Sequence, residues 1–231
     1  MPSNTLFLRL EGHLQSWGER GRWSIRDTAS EPTKSGVVGL LGCALGLSAD
    51  DDLRILSRSI LIGIRCDRPG SVLRDYQTVV GGVMSAEGKV KVNASTKEPE
   101  TVVSERYYLS DASFLVAVQA EPQLVSRLCG ALQDPTWPFF LGRKSCPPST
   151  PVFEGEGDFP TLEAALKSLP VLLRKSDGSK DIHLRTVLEC SPDERDAIRR
   201  LDEIASHARR TFQPRYVREK LLVFPIEQEA I

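Results

Sequence analysis

Several segments of the chain bring cationic side chains together with aromatic rings or with a helix start. Arginine pairs with phosphate through its planar fork, and aromatic side chains stack on unpaired bases for about 1–3 kcal/mol per base. The segments contain Gln15, Ser16, Trp17, Arg20, Arg22, Trp23 and Arg26; Thr33, Lys34 and Ser35; Arg74 and Tyr76; and Arg143 and Lys144. This chemistry favours single-stranded RNA over a catalytic site. Trp17 is also a natural core residue, and Arg74 can simply pair with Asp75.

One of these segments lies where a helix is predicted to begin. Thr33 or Ser35 can cap a helix that runs to about residue 45, and Gly46 can end it. The free N–H groups of a helix N-terminus suit a phosphate. Glycines at 36, 39 and 42 form a smooth stripe on this helix. The sequence leaves open whether the stripe packs against the sheet or lies against RNA.

Known catalytic patterns are missing from the sequence. Lys34 and Ser35 precede the glycines, which excludes the phosphate-binding loop of nucleotide hydrolases. One metal-free RNA-cleaving arrangement stays open, with His13, Tyr76 and Lys34 as base and cation, although a turn histidine is the simpler interpretation of His13. Five cysteines without CxxC spacing and three scattered histidines predict no metal site. We expect no cofactor.

Composition describes an ordinary globular protein. The chain has 231 residues, 40% of them hydrophobic and 26% charged, with a net charge of −1. Nucleic-acid-binding domains are often strongly basic, so an RNA surface here must be local. No stretch approaches the roughly 20 apolar residues that span a bilayer, and the N-terminus has no signal-peptide pattern. We therefore expect a cytoplasmic protein without a membrane partner.

Hydrophobic periodicity predicts an α+β fold. Strands are expected at 5–12, 59–66, 73–80 and 106–118, with helices at 33–45, 50–59 and 121–132, a long loop at 12–32 and an excursion at 81–101. This order fits a ferredoxin-like βαββαβ plan with an inserted arm. Residues 151–231 are assigned to a smaller C-terminal lobe, separate from a first domain at 1–150. Within the lobe we expect helices at 161–169 and 193–210 and a strand at 221–224.

Five motifs in order carry a family resemblance. They are GHLQSWG at 12–18, PTKSGVVGLLG at 32–42, LRDY at 73–76, YLSDASF at 108–114 and PFFLGRKSCP at 138–147. The chain resembles the type I-E members of the CRISPR-associated Cas five family over about its first two-thirds. The resemblance implies a ferredoxin-like RAMP domain, related to the RNA-recognition fold, with a thumb hairpin at about 81–104.

The resemblance also implies a function in antiviral defence. Members cap the 5′ handle of the CRISPR RNA in the Cascade complex, where they contact the nearest backbone subunit and the large subunit; target DNA within the complex stays an open further ligand. Motif positions make Gln15, Ser16, Trp17, Lys34, Ser35, Arg74, Tyr76, Arg143 and Lys144 the candidate handle contacts. Arg26 and Arg106 are added for their charge and location alone.

Three functions remain to be compared. Type I-E relatives leave RNA processing to a separate subunit, so the resemblance implies a non-catalytic, RNA-binding subunit. The type I-C relative cuts the RNA itself, which makes a metal-independent endoribonuclease the alternative. A free-standing RNA chaperone would bind tightly without partner proteins. The arginine-rich stretch from Arg195 to Arg218 is interpreted as a solvated helix, with additional RNA, DNA or partner contacts as the other possibility.

Overall fold

The fold was analysed in a computed structural model, which describes residues 2–19, 24–84, 87–171 and 181–225. The strands are β1 (Thr5–Gln15), β2 (Ile25–Arg26), β3 (Leu61–Arg68), β4 (Ser71–Val79), β5 (Val102–Gln119), β6 (Phe153–Gly157), β7 (Asp181–Cys190), β8 (Ile198–Ser206) and β9 (Thr211–Pro225). The helices are α1 (Lys34–Leu45), α2 (Asp50–Arg58), α3 (Pro122–Gln133) and α4 (Leu162–Ser168). The predicted mixed α and β composition is confirmed.

One large sheet organises the molecule. Its strand order is β6-β1-β5-β3-β7-β9-β8, with β2 and β4 paired to β5 off this path. All the pairs are antiparallel except β2 with β5. β5 has 18 residues and is the longest strand described. Its C-terminal half lies between β1 and β3, whereas its N-terminal half extends beyond them and pairs with β4 and β2.

The helices cover both faces of the sheet. Alternating residues of β1 and β5 point to opposite faces, so Leu8 and Val116 pack under α1 and α3, whereas Phe7 and Leu115 pack under α4. All four side chains are buried. Their burial on both faces holds the central strands rigidly, and that rigid sheet is the base from which the β4–β5 arm extends.

Helix α1 forms where the sequence predicts it. The Thr33 hydroxyl accepts a hydrogen bond from the Gly36 amide at 3.2 Å, and Gly46 ends the helix in a left-handed conformation with φ of 71°. The first and last glycines of the stripe, Gly36 and Gly42, are packed against neighbouring side chains of the protein. A Cβ at Gly36 would lie 2.8 Å from the Trp17 ring, and one at Gly42 would lie 2.6 Å from Leu53.

The predicted helix over 193–210 is wrong. Ile198–Ser206 is strand β8, which forms a hairpin with β9. Its arginine-rich composition suggests an exposed helix, but the side chain of Asp202 is buried and that of Ile204 enters the main core. Pairing with the 15-residue strand β9 therefore overrides the local pattern. The final strand is also much longer than the predicted 221–224.

The strands after residue 150 belong to the same sheet as those before it. β6 pairs with β1, and β7 pairs with β3. Val187 and Val217 pack in the same core as the strands and helices of the first half. The division of the chain at residue 150 stays a prediction. Within the described residues, no helix is long and apolar enough to cross a membrane.

Candidate nucleic-acid interface

The first candidate segment forms a buried support for the loop that follows β1. Gln15 is fully buried and donates to the carbonyls of Leu10 and Ala112, at 3.0 and 2.9 Å. Trp17 is 1% exposed, and its indole N–H donates to the Gln15 side chain at 3.0 Å. Ser16 donates to the carbonyl of Tyr107 at 3.1 Å. These side chains are committed to the fold, and of the two interpretations of Trp17, core residue or stacking platform, the structure agrees with the core residue.

Lys34 is also committed inside the protein. Its side chain is 2% exposed, and Nζ lies 2.6 Å from Glu189 Oε1. The backbone N–H of Lys34 donates to Asp202 Oδ2 at 2.7 Å. A carboxylate of β8 therefore already occupies the α1 N-terminus that the sequence offered to a phosphate. Ser35, one residue further on, remains half-buried beside a cavity.

Asp202 and its neighbours form an ion-pair network between α1, β7, β8 and β9. Asp202 accepts from Arg215 through both oxygens, at 2.7 and 2.9 Å, and Glu31 accepts from Arg185 at 2.6 Å and from Arg200 at 3.3 Å. Burial opposes ionisation of Glu31, but the bonds from Ser30 and Arg185 outweigh it and lower the Glu31 pKa. We call Glu31, Lys34, Arg185, Glu189, Arg200, Asp202 and Arg215 the buried ion network.

Arginines gather instead on one face of the arm. β2 and β5 pair in parallel with Arg26 directly beside Arg106, and side chains at paired positions of a sheet share a face. Arg106 shares that face with Tyr108, two residues along β5, and the Arg143 guanidinium stacks on the Tyr108 ring at 4.8 Å. We call Arg26, Arg106 and Arg143 the arginine row.

The arginine row carries little internal compensation. Among the described residues, no ion pair joins Arg26, Arg106 or Arg143 to a carboxylate within 4.0 Å. Arg106 Nε and Arg143 Nη1 are buried nitrogens without a hydrogen-bond partner. Asp75 is opposite Arg106 on β4, but its carboxylate accepts from Gln77 at 2.6 Å. Like charges side by side are unfavourable, and a phosphate beside the row would relieve that cost.

The turn that carries Arg143 is built tightly against the loop after β1. Gly142 has φ of 88°, and a Cβ there would lie 1.8 Å from the Ser16 carbonyl oxygen, so only glycine fits. Arg143 Nη2 donates to the carbonyls of Arg26 and Asp27, at 2.9 and 3.2 Å. Arg143 thus fixes the loop that presents Arg26. Lys144 is exposed beside it.

The remaining candidates are elsewhere. Arg74 and Tyr76 alternate with Leu73 and Asp75 on β4, so they point to the face of the arm opposite the arginine row. Arg74 pairs with Glu105, and Tyr76 is 62% exposed. Arg20, Arg22 and Trp23 lie outside the described residues.

The alternative nuclease residues are not brought together. His13 is on β1 between residues paired with Ala112 and Ser110, whereas Tyr76 is paired with Glu105. That difference corresponds to roughly 20 Å along β5 at about 3.4 Å per residue. Lys34, the proposed cation, is inside the buried ion network. His13 is within the strand and not in a loop after it. In the part of the chain that the structure describes, no group of three metal-ligating side chains is found.

Sequence inspection missed a cavity next to the arginine row. A space of about 300 Å³ separates the start of α1 from the tip of the β8–β9 hairpin. One wall contains Ser16, Trp17, Gly18, Thr33, Ser35, Gly36 and Gly142, and the other contains Ile204, His207, Arg210 and Phe212. Ile204, His207 and Arg210 were missed because the sequence predicts a helix over 193–210, and Phe212 lies just beyond that predicted helix. A strand pattern at 211–225 was the available signal.

Comparisons with known proteins identify the family of the chain. The family described as "CRISPR-associated protein (Cas_Cas5)" matches residues 5–218. The chain belongs to this Cas five family. It is 40% identical over 163 residues to "CRISPR system Cascade subunit CasD" of Escherichia coli (strain K12), covering 65% of this chain and 70% of the relative. The family prediction is confirmed.

Two solved structures resemble the fold over nearly its whole length. A chain from "CRISPR RNA-guided surveillance complex" superimposes with a TM-score of 0.75 at 26% identity, covering 96% of this chain and 91% of that one. A second, "Crystal structure of Cas protein", has a TM-score of 0.71 at 36% identity and covers 96% and 98%. The family fold therefore includes the C-terminal strands, where the sequence resemblance was weak.

Proposed function

We propose that the chain is a non-catalytic subunit of a Cascade surveillance complex and binds the 5′ handle of the CRISPR RNA. Membership of the Cas five family, the likeness to a Cascade subunit and the likeness to a chain of an RNA-guided complex support the assembly. The arginine row supports RNA as its ligand. The partners of the chain are then a neighbouring backbone subunit and the large subunit, and target DNA is a further ligand to test. The complex would act in the cytoplasm.

The observation that carries the proposal is the uncompensated positive charge of the arginine row. Arg26 and Arg106 are adjacent on one face, and no described carboxylate forms an ion pair with Arg26, Arg106 or Arg143. Elsewhere the described chain pairs its buried cations with carboxylates, as with Lys34 and Arg215. Like charges side by side are unfavourable unless an anion lies beside them. A negatively charged, flexible backbone such as single-stranded RNA meets that need.

The fold gives this proposal its framework. The strand order β6-β1-β5-β3, with α1 after β1 and α3 before β6, supports a ferredoxin-like βαββαβ unit. We assign it as the RAMP core and the exposed excursion after β4 as its thumb. Residues 81–104 of that excursion carry exposed Val90 and Val92, a surface suited to a neighbouring subunit.

The test is retention of guide RNA in the assembled complex. Arg26 and Arg106 are changed together to Ala, the complex is purified through a tag on another subunit, and RNA per complex is quantified. We expect a marked loss of RNA with an unchanged melting temperature for the isolated chain. The matched control changes Arg54 and Arg127, which are on helices away from the row. Equal RNA yields in both variants would contradict the proposal.

A second measurement separates binding from catalysis. The purified chain is incubated with a CRISPR-repeat hairpin RNA in the presence of a chelator. We expect no cleavage, because His13, Lys34 and Tyr76 do not converge. Metal-independent cleavage that is lost in His13→Ala would establish the endoribonuclease alternative. Tight binding by the isolated chain, equal to that of the assembly, would instead favour a free-standing chaperone.

A further inference from the structure

We propose that the cavity between the α1 start and the β8–β9 hairpin holds one unpaired nucleotide of the RNA, with its base on Phe212 and its phosphate at Arg210. This inference rests on the proposed function and names a second contact point for the same ligand. The cavity of about 300 Å³ is at the small end of the range for ligand sites. A single nucleotide fits that scale better than a folded RNA element.

The two walls of the cavity differ in the way a nucleotide pocket requires. One wall combines Trp17 with small residues, among them Gly18, Gly36 and Gly142, and small residues leave room for a ligand. Its side-chain hydroxyls include Ser35 Oγ, which is 3.3 Å from Thr33 Oγ1. Hydroxyls can bond a base edge or a ribose 2′-OH. The opposite wall supplies the ring of Phe212 and the guanidinium of Arg210.

Both hairpin side chains are available for a ligand. Phe212 is 40% exposed although it is a large apolar residue. Arg210 is exposed, and no described carboxylate pairs with its guanidinium. An exposed aromatic ring beside an unpaired arginine is the combination that binds unpaired nucleotides by stacking and charge. The sequence analysis marked the stretch that contains both residues as a possible additional RNA contact, but it did not single out either residue because the hairpin was not recognised.

The hairpin tip is held in place before any ligand binds. The Asp50 carboxylate at the α2 N-terminus accepts from the backbone N–H groups of His207 and Ala208. Ser206 Oγ accepts from the Arg209 amide at 3.1 Å, and Gln213 accepts from Arg58. A fixed tip positions Arg210 and Phe212 without an ordering cost at the time of binding.

The cavity also continues the arginine row. Gly142 lines the cavity, and Arg143, the next residue, belongs to the row. An RNA strand that leaves Arg26 and Arg106 along the Arg143 turn would enter the cavity within a short distance. The two features therefore describe one path along the α1 side of the sheet, and they are formed by separate parts of the chain.

The test uses the assembled complex with synthetic guide RNAs that carry the fluorescent base 2-aminopurine at one position of the 5′ handle at a time; we call these the leading positions. Stacking on an aromatic ring quenches the fluorescence of this base. We expect one position to be quenched in wild type and in Phe212→Tyr, and released in Phe212→Leu, which keeps apolar bulk without a ring. Loss of one stacked base should weaken RNA binding by about fivefold or more. Arg210→Gln should also release that position, whereas Arg209→Gln should not.

The outcomes separate the two proposals. If arginine-row variants lose RNA while Phe212→Leu and Arg210→Gln keep the wild-type fluorescence at every position, the cavity assignment is overturned and the proposed function stands. If wild-type protein quenches no leading position and the arginine-row variants retain full RNA, both are overturned. Release that is confined to one position in Phe212→Leu and Arg210→Gln supports the cavity assignment.

Discussion

The buried ion network and the arginine row use the same residue type for opposite purposes. In the network, the Arg215 guanidinium donates hydrogen bonds to both carboxylate oxygens of Asp202, and Lys34 is paired with Glu189. In the row, Arg26 lies beside Arg106 with no described carboxylate paired to either. The first arrangement satisfies its charges within the fold. The second leaves its positive charge without a described carboxylate to balance it.

This difference teaches that charge location matters more than charge number. The chain has 30 Lys and Arg against 31 Asp and Glu, so there are enough carboxylates to pair with almost every cation. The cations of the network form such pairs where three strands meet α1, because burying an unpaired cation there is costly. The row has no such pair with a described carboxylate, and the uncompensated cost is offset when an anion binds.

The largest expected effect comes from breaking the network. Asp202→Ala removes the partner of Arg215 and the acceptor for the Lys34 amide. Because Arg215 would stay buried with Glu189, at 3.9 Å, as its remaining ion-pair partner and with no described carboxylate hydrogen-bonded to its guanidinium, we expect a loss of about 3–5 kcal/mol in the free energy of unfolding, measured by urea denaturation of the isolated chain. Asp193→Ala, an exposed change on the loop before β8, is the control. A loss below about 1 kcal/mol would contradict a structural role for the network.

Substitutions in the arginine row should change the affinity for RNA and leave the stability of the fold unchanged. Single strands lose affinity with salt at a slope of about −0.7 per phosphate contact. Arg106→Ala should therefore flatten the salt dependence of RNA binding by the complex by about 0.7, while the unfolding midpoint stays unchanged. An unchanged slope together with a lowered midpoint would show that Arg106 belongs with the structural arginines.

Local signals explain which elements the sequence could predict. Helix α1 was found because its cap at Thr33 and its terminator at Gly46 are within the segment itself. Central strands β3 and β5 were found because burial on both faces gives long apolar runs. β8 was missed since its stability comes from pairing with β9 and from Asp202 reaching α1. No window around residue 200 contains that information.

The site was predictable as a set of residue types but not as a geometry. Charge and motif position selected Arg26, Arg106 and Arg143, and the fold brings these three together. The same criteria selected Lys34, whose partner Glu189 is 155 residues away, and Trp17, which is buried. Whether a cation is internal or free depends on such distant partners, and a single sequence does not reveal them.

A smaller effect is expected for the pH dependence of stability, which should involve Glu31 of the buried ion network. The Glu31 pKa is lowered in the folded protein despite burial, because Ser30 and Arg185 stabilise its charge. Its contribution is therefore complete above the unfolded pKa of about 4.3 and is lost as pH falls through the lower folded value. Glu31→Gln should destabilise the chain by about 1–3 kcal/mol at neutral pH. That difference should shrink below about pH 4; a difference independent of pH would mean that the Glu31 charge does not matter.

The smallest effect is expected for the other face of the arm. Arg74 is exposed and paired with Glu105, and its β4 position points it away from the arginine row. Arg74→Ala should leave both the unfolding midpoint and the guide RNA content of the complex unchanged, since an exposed ion pair contributes little. Measured beside Arg106→Ala, it compares two arginines from paired strands that occupy opposite faces, one paired with a carboxylate and one without a described ion pair. If both variants lost RNA equally, the strand would have to contact both faces of the arm, and the contrast between satisfied and free arginines would no longer identify the binding surface.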